Sequence, residues 1–443
     1  MTRRPTGPGH RAAALILLAL AGCFPAPVQL PIFGDCEEEE TPGEAPAFAP
    51  TYHRDVRPIL ERECVSCHQD GGIAPFSLDG YDEAAMWGAV ALGAIEAGHM
   101  PPWPPSSCCL ELRHERRVAP DDVEMLRAWV DAMTPEGDPA DAPPPPPPGG
   151  LSRVDLEVEM PAPYTPSPSV GPSDDLRCFL IDWPIDHTTY VTGIDVVPGQ
   201  RELLHHAVIY AIPEARAAFY ELLDDADSEP GWSCPGGAPQ DADAYVGGWV
   251  PGAAAHDYPS GLGREVKPGS KLLLSAHYEL SAGPAPDQSA IRFKLDDSVA
   301  TPVEGAAVVN PSWLVGESML IPAGEADVAY SYAYDLSAWL KLGKTVTVHD
   351  VALHMHEWGS SATLGVIRGD GEIECLLHID DWDFAWQGEY FLKEPVELRY
   401  GDRLYVECIF DNSAGNQPDG GEPQDLWWGD DKEMCIGSVL ISS

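Results

Sequence analysis

The sequence predicts a mainly β protein: two antiparallel β-sandwiches after residue 150, preceded by a smaller segment of different composition. Forty-five Pro and 42 Gly cut the chain into short runs, and helical periodicity is modest beyond residue 150. Cys178–Ile181, Leu204–Ile212, Lys271–Leu280, Ile291–Leu295, Val346–Leu353 and Leu404–Phe410 read as strands separated by turn residues, the spacing of sandwiches. A length of 443 residues leaves room for roughly two to four domains with buried cores. The formal charge of -45 argues against nucleic acid as a partner. It suits an anionic surface that attracts cations or a basic redox partner.

In chain order, Arg3, Arg4 and Arg11 precede the apolar run Ala12–Leu20, which is too short to remain in a bilayer as a spanning helix. Residues 1–22 are expected to be a signal peptide. Leu20-Ala21-Gly22-Cys23 resembles a bacterial lipobox, which implies a lipid anchor on Cys23. Phe24 stands where an inner-membrane retention signal would place Asp, so the outer membrane is the expected location. Residues 23–50, with Glu37–Glu40 and several Pro, read as a tether. Export places the 11 cysteines in an oxidising compartment, where unassigned pairs form disulfides.

Residues 51–137 stand apart from the rest. Cys64-Val65-Ser66-Cys67-His68 is the attachment pattern of a c-type haem, with two thiols for the vinyl groups and a His directly under the iron. A redox dithiol or a zinc half-site would explain the two Cys but not the following His. The sixth ligand is expected from Gly98-His99-Met100-Pro101-Pro102-Trp103. From Tyr52–Val56 to Leu126–Val130 the segment resembles small cytochrome c domains of bacterial multidomain proteins, an all-α fold. The resemblance implies Met100 as the distal ligand, with His99 and Met86 as the other candidates. A thioether raises the potential and suits a one-electron carrier. Vicinal Cys108 and Cys109 find no role at this level.

Residues 138–150, with consecutive Pro at 143–148, read as a semi-rigid polyproline spacer. Beyond it no phosphate loop, nucleophile elbow or dinucleotide fingerprint occurs, which disfavours nucleotide and acyl-transfer chemistry. The histidines form two sets. His205 and His206 are adjacent, with His277 71 residues later; neighbours on a regular strand face opposite ways, so the pair can share a metal only at a strand end or a bulge. His354 and His356 lie two apart after a β-branched run and point to one side, with Met434 available.

Residues 174–443 resemble the copper type II ascorbate-dependent monooxygenases, typified by peptidylglycine monooxygenase and dopamine beta-hydroxylase. The resemblance rests on Arg177-Cys178-Phe179, His205-His206, Gly248-Trp249-Val250-Pro251-Gly252, Ala276-His277-Tyr278, Ile321-Pro322-Ala323-Gly324, His354-Met355-His356 and Glu433-Met434-Cys435, in family order. It implies two jelly-roll-like sandwiches, 151–300 and 301–443, holding one copper ion each. His205, His206 and His277 would ligate the first ion and His354, His356 and Met434 the second. A thioether favours Cu(I), so the second set is expected to carry the oxygen chemistry. The resemblance also suggests the disulfides Cys408–Cys435 and Cys178–Cys234. His187, His256, His349 and His378 read as structural or exposed.

Departures from the family bear on the substrate. Where peptidylglycine monooxygenase holds a substrate carboxylate, this chain has Ala352, Ile436 and Ser438, which disfavours a peptide ending in glycine. The expected function is copper-dependent hydroxylation of a small organic substrate with O2. Electrons from an external donor would pass through one covalent haem to the copper at His205, His206 and His277, and then to the second. The alternative is a lipid-anchored haem and copper electron carrier without a substrate of its own; a structural dizinc protein is disfavoured because a thioether suits zinc poorly.

Overall fold

The computed structural model describes residues 43–443, apart from 145–149, 170–172, 235–243, 252–255, 315–317, 337–339, 341–343, 385, 419 and 430–431. The expected signal peptide at residues 1–22, Cys23, the first part of the expected tether and most of the Pro run therefore lie outside the described residues. No helix among the described residues is long and apolar enough to cross a membrane.

A π-helical turn, Tyr52–Val56, runs into α1 (Arg57–Glu63), followed by α2 (Tyr81–Glu96) and α3 (Pro120–Asp131). Pro120 starts α3 because its fixed φ and missing N–H suit a first turn, and Asp121 and Asp122 complement the positive end of the helix. Tyr52, Val56, Ile59, Leu60, Ala84, Leu92, Leu126 and Trp129 form a small core of their own. At Gly88 a Cβ would lie 2.8 Å from Trp129 Cζ3, so the glycine lets the indole seat against α2.

The rest is β-rich. The first ten strands are β1 (Leu156–Glu159), β2 (Asp174–Asp182), β3 (Thr189–Val197), β4 (Leu204–Ile212), β5 (Trp232–Ser233), β6 (Tyr245–Trp249), β7 (His256–Asp257), β8 (Leu262–Val266), β9 (Lys271–Glu279) and β10 (Ala290–Asp296). They are followed by β11 (Thr301–Val308), β12 (Val328–Asp335), β13 (Val346–His354), β14 (Gly359–Ile367), β15 (Ile373–Ile379), β16 (Glu389–Leu398), β17 (Arg403–Phe410) and β18 (Ile436–Ser442). The six runs read as strands from the sequence are β2, β4, β9, β10, β13 and β17. One helix, α4 (Glu214–Ala226), was not anticipated.

Three sheets result. One has the order β5-β2-β9-β4-β6 and another β12-β17-β14-β15. The third, nine-stranded, runs β1-β10-β3-β8-β11-β18-β13-β16, with β7 beside β3. Phe179, Ile194, Ile209, Leu274 and Phe293 belong to one core, and Val348, Leu364, Leu377, Val406 and Val439 to another. Burying each such side chain contributes roughly 1.5–3 kcal/mol. The two halves nevertheless share a sheet: β8 and β11 pair in parallel, with Thr301 opposite Leu262 and Val303 opposite Arg264. A parallel join carries no hairpin signal, so the sequence does not display it.

The segment after α2 is not free of the β-rich part, as a purely tethered unit would be. Pro105 bridges to Ile379 and Leu112 to Leu392. Ser106 N donates to His378 O at 2.8 Å, Arg113 N to Phe391 O at 2.8 Å, and Lys393 N to Glu111 O at 2.8 Å. Cys109 forms a disulfide with Cys375. This strap lies against β15 and β16, the edge strands of their two sheets, and so satisfies backbone groups that an open edge would leave bare. The vicinal cysteine that the sequence left without a role is its covalent fastening.

Candidate metal centres

The first cluster forms because β4 is bulged. Leu204 pairs with Tyr278 and His206 with His277, so His205 is the extra residue. This irregularity lets adjacent imidazoles turn to one place, which a regular strand forbids. Ring centroids are 4.9 Å apart for His205 and His277 and 4.7 Å for His206 and His277. One ligand atom from each of the three lies within 4.8 Å of the others.

The nitrogen chemistry fits a cation. His277 Nε2 lies 2.8 Å from Asp174 Oδ1. An ionised carboxylate only accepts, so Nε2 carries the proton and Nδ1 presents its lone pair to the cluster. His206 Nδ1 is 3.2 Å from that atom. Two tetrahedral ligands about 2.0–2.1 Å from one ion stand roughly 3.3 Å apart. His205 Nδ1 is buried with no hydrogen-bond partner. Burial, then the neighbouring imidazoles, push His206 well below the usual histidine range, and burial brings His205 down to about 4. Neutral imidazole is the form that binds metal.

The second cluster lies where β13 ends. His354 pairs with Ile436, and His356 follows the strand, with ring centroids 5.0 Å apart. His354 Nδ1 is 2.6 Å from Gln387 Oε1, and His356 Nδ1 is 3.2 Å from Lys432 O. Both partners are acceptors, so each Nδ1 donates and each Nε2 is left with its lone pair. Burial, then the neighbouring His354 imidazole, lowers His356 to about 3. Met434 is buried, and its strand entry is fixed by the Cys408–Cys435 disulfide. The Cys178–Cys234 disulfide is also present.

Glu433 holds this site together. Its buried carboxylate accepts from His356 N at 3.0 Å, Trp358 N at 2.9 Å and Met434 N at 2.9 Å, linking both ligand-bearing segments through one side chain. Burial pushes the carboxyl up to about 8, against these amide donors, which pull it down. Asp174, Gln387 and Glu433 were not picked out as functional from the sequence. The only signal was position: Asp174 lies just before Arg177-Cys178-Phe179, and Glu433 sits within the Glu-Met-Cys motif.

In the helical unit, Cys64 closes α1, and His68 N donates to Cys64 O at 2.9 Å, so a single turn carries both thiols and the imidazole. Cys64 and Cys67 are free thiols. His68 Nδ1 is 3.0 Å from Phe76 O and therefore donates, leaving Nε2 as an acceptor. Met100 lies beyond α2, 38% exposed. Of the remaining histidines, His187 is exposed between Asp186 and Asp297, His349 meets Ser442, and His378 lies between Thr363 and Asp380. The His256 side chain lies outside the described set.

Residues 305–440 match the model of the copper type II ascorbate-dependent monooxygenase C-terminal domain. The chain is 25% identical to MOXD1 homolog 2 of Drosophila melanogaster over 227 residues, 48% of this chain and 29% of the relative. It is 25% identical to DBH-like monooxygenase protein 1 of Homo sapiens over 261 residues, 55% of this chain and 40% of the relative. The chain thus spans less than half the length of these curated relatives. Taken with the histidine triad, the matches support the copper type II monooxygenase family as the one to which the β-rich part is related.

Proposed function

We propose that the protein is a copper-dependent monooxygenase that hydroxylates a small organic substrate with O2. One observation carries this reading: two unlike donor sets, one of three converging imidazoles with His277 oriented by Asp174, and one of two imidazoles with both Nδ1 atoms hydrogen-bonded and a buried Met434 tied to the same segment through Glu433. Copper, when bound, supplies one-electron chemistry and reaction with dioxygen, which zinc does not. The chain supplies neutral nitrogens at His205, His206 and His277, and at His354, His356 and Met434 it supplies a softer set. Ala352 pairs with Ser438 as His354 pairs with Ile436, so these half-buried residues flank His354 on one sheet face. That face favours a substrate less polar than a peptide carboxylate.

A covalent haem on Cys64 and Cys67, with His68 and Met100 as axial ligands, would supply single electrons when bound. Desolvation pushes the half-buried Cys64 thiol up to about 12, unlike the low-pKa thiol of a redox dithiol, which disfavours exchange chemistry at this pair. Gly71, just past His68, lies beside Glu202, with 4.0 Å from its Cβ position to Glu202 Oε1, and Glu202 leads directly into His205 and His206. This adjacency favours electron entry at the first cluster. Lipidation at Cys23 would anchor the protein to the outer membrane.

The decisive experiment is elemental analysis after copper loading under reducing conditions, followed by screening for oxygen-dependent product. Two copper and one haem iron with hydroxylated product are expected. Zinc without copper would overturn the reading, and haem and copper redox cycling with no product under any substrate screened would favour the electron carrier.

A further inference from the structure

The loop between β15 and β16 belongs to the second half of the chain, yet it reaches both clusters. Trp382 Nε1 donates to His356 O at 3.1 Å, and Gln387 Oε1 meets His354 Nδ1 at 2.6 Å, so the loop is pinned on both sides to the second cluster. Between these pins, the Phe384 ring lies 5.8 Å from His356, 5.9 Å from His277 and 6.3 Å from His206, centroid to centroid. Trp386 reaches His205 at 6.5 Å. Gln387 Nε2 donates back to Phe384 O at 3.0 Å, which fixes the backbone beneath the ring. The stems are held from outside by the strap: Ser106 bonds to His378 O, and Trp103 packs edge-on against Tyr390 at 5.4 Å.

We propose that Phe384 is the positioning residue that keeps the two centres apart and the space between them dry. This rests on the two-centre reading above. One apolar ring lies against imidazoles of both clusters, so it fills part of the space between them. Hydrocarbon in that space excludes water and strengthens the polar contacts beside it. Hydroxylation consumes one O2, two electrons and two protons from an external donor and the medium, and forms product and one water. Without a correctly held substrate the same electrons and protons reduce O2 to hydrogen peroxide, so a loosened gap is expected to waste oxygen.

The first test needs no metal. Diethyl pyrocarbonate modification of the metal-free full chain, read by peptide mass spectrometry, should be slow at His206, His277 and His356 and fast at exposed His187. In Phe384→Ala it should accelerate several-fold at all three while His187 is unchanged, and Phe384→Leu should stay near the parent. Unchanged rates in the Ala variant, or acceleration in only one cluster, overturn the proposal. If the Ala variant does not fold, Phe384→Val is read by the same criteria. In copper-loaded protein the Ala variant should give several-fold less product per O2 consumed, with the lost oxygen recovered as peroxide, and Leu should restore the ratio; an unchanged ratio overturns the proposal. Failure to bind copper would defeat the monooxygenase reading, while the metal-free modification rates would still decide whether Phe384 shields both clusters.

Discussion

The two clusters are built from different materials. His206 and His277 face each other across paired strands β4 and β9, where only the bulge at His205 breaks the register between the two. The second cluster draws on a strand end, a bend after it, the approach to β18 and the loop before β16. A sheet-borne site keeps its geometry when its charge changes. A site gathered from loops can readjust its ligands, and here it relies on Glu433, Gln387 and a disulfide to bring them together. The rigid cluster suits electron storage and the adaptable one suits reaction.

The largest expected effect that would sharpen this contrast is that of Met434→Ile. It should abolish hydroxylation and weaken Cu(I) at the second centre while His205, His206 and His277 keep their ion, as elemental analysis and oxygen uptake will show. Full activity would mean the clusters do not divide the work as their donors suggest. Asp174→Asn should act on the other side alone: losing the carboxylate that fixes the His277 tautomer is expected to lower metal affinity there by about 10–100-fold, measured by competition titration. Equal loss at both centres would break the distinction. Glu433→Gln should cost about 1–3 kcal/mol in denaturant unfolding, since an NH2 replaces one of the two accepting oxygens and strands a buried N–H donor, and should reduce Cu(I) affinity only at the second centre.

The smallest effect concerns Asp350, on β13 near the face between the halves. Burial, then Glu389, raises its pKa well above the usual carboxylate value. The unfolded chain, with Asp near about 3.9, releases this proton first, so the contribution is fully present below that pH and is lost as pH rises toward the folded pKa. Asp350→Asn should therefore gain in Tm relative to the parent as pH goes from acid to alkaline. A constant difference across pH would show that the Asp350 pKa is not raised by folding.

What the sequence made legible follows from how each signal is written. Short β-branched runs bounded by turn residues gave the strands, and His-x-His and Met434 stood out because their donor types are rare. His205-His206 was legible as a ligand pair through the family resemblance, while strand alternation alone argued against it unless a strand end or bulge intervened. Asp174, Gln387 and Phe384 were hidden because their importance lies in reaching side chains remote in the chain, 103 residues away between Asp174 and His277. The same holds for Cys109 and Cys375, and for the parallel β8–β11 pair, where nothing local announces a partner.

The Cys109–Cys375 bond closes a stretch of chain with a sequence separation of 266. In a chain-entropy picture a loop of that size restricts the unfolded ensemble by about 5–6 kcal/mol. It also imposes an order of assembly: residues 105–113 are made early, yet the edges they cover are β15 and β16, made near the end, so the strap must wait through most of synthesis before it can dock. Such remote closure makes for slow folding. A chain cut at the proline run would leave behind the piece that finishes the sandwich. The leading segment is thus a late-arriving part of the β-rich fold as much as a unit in front of it.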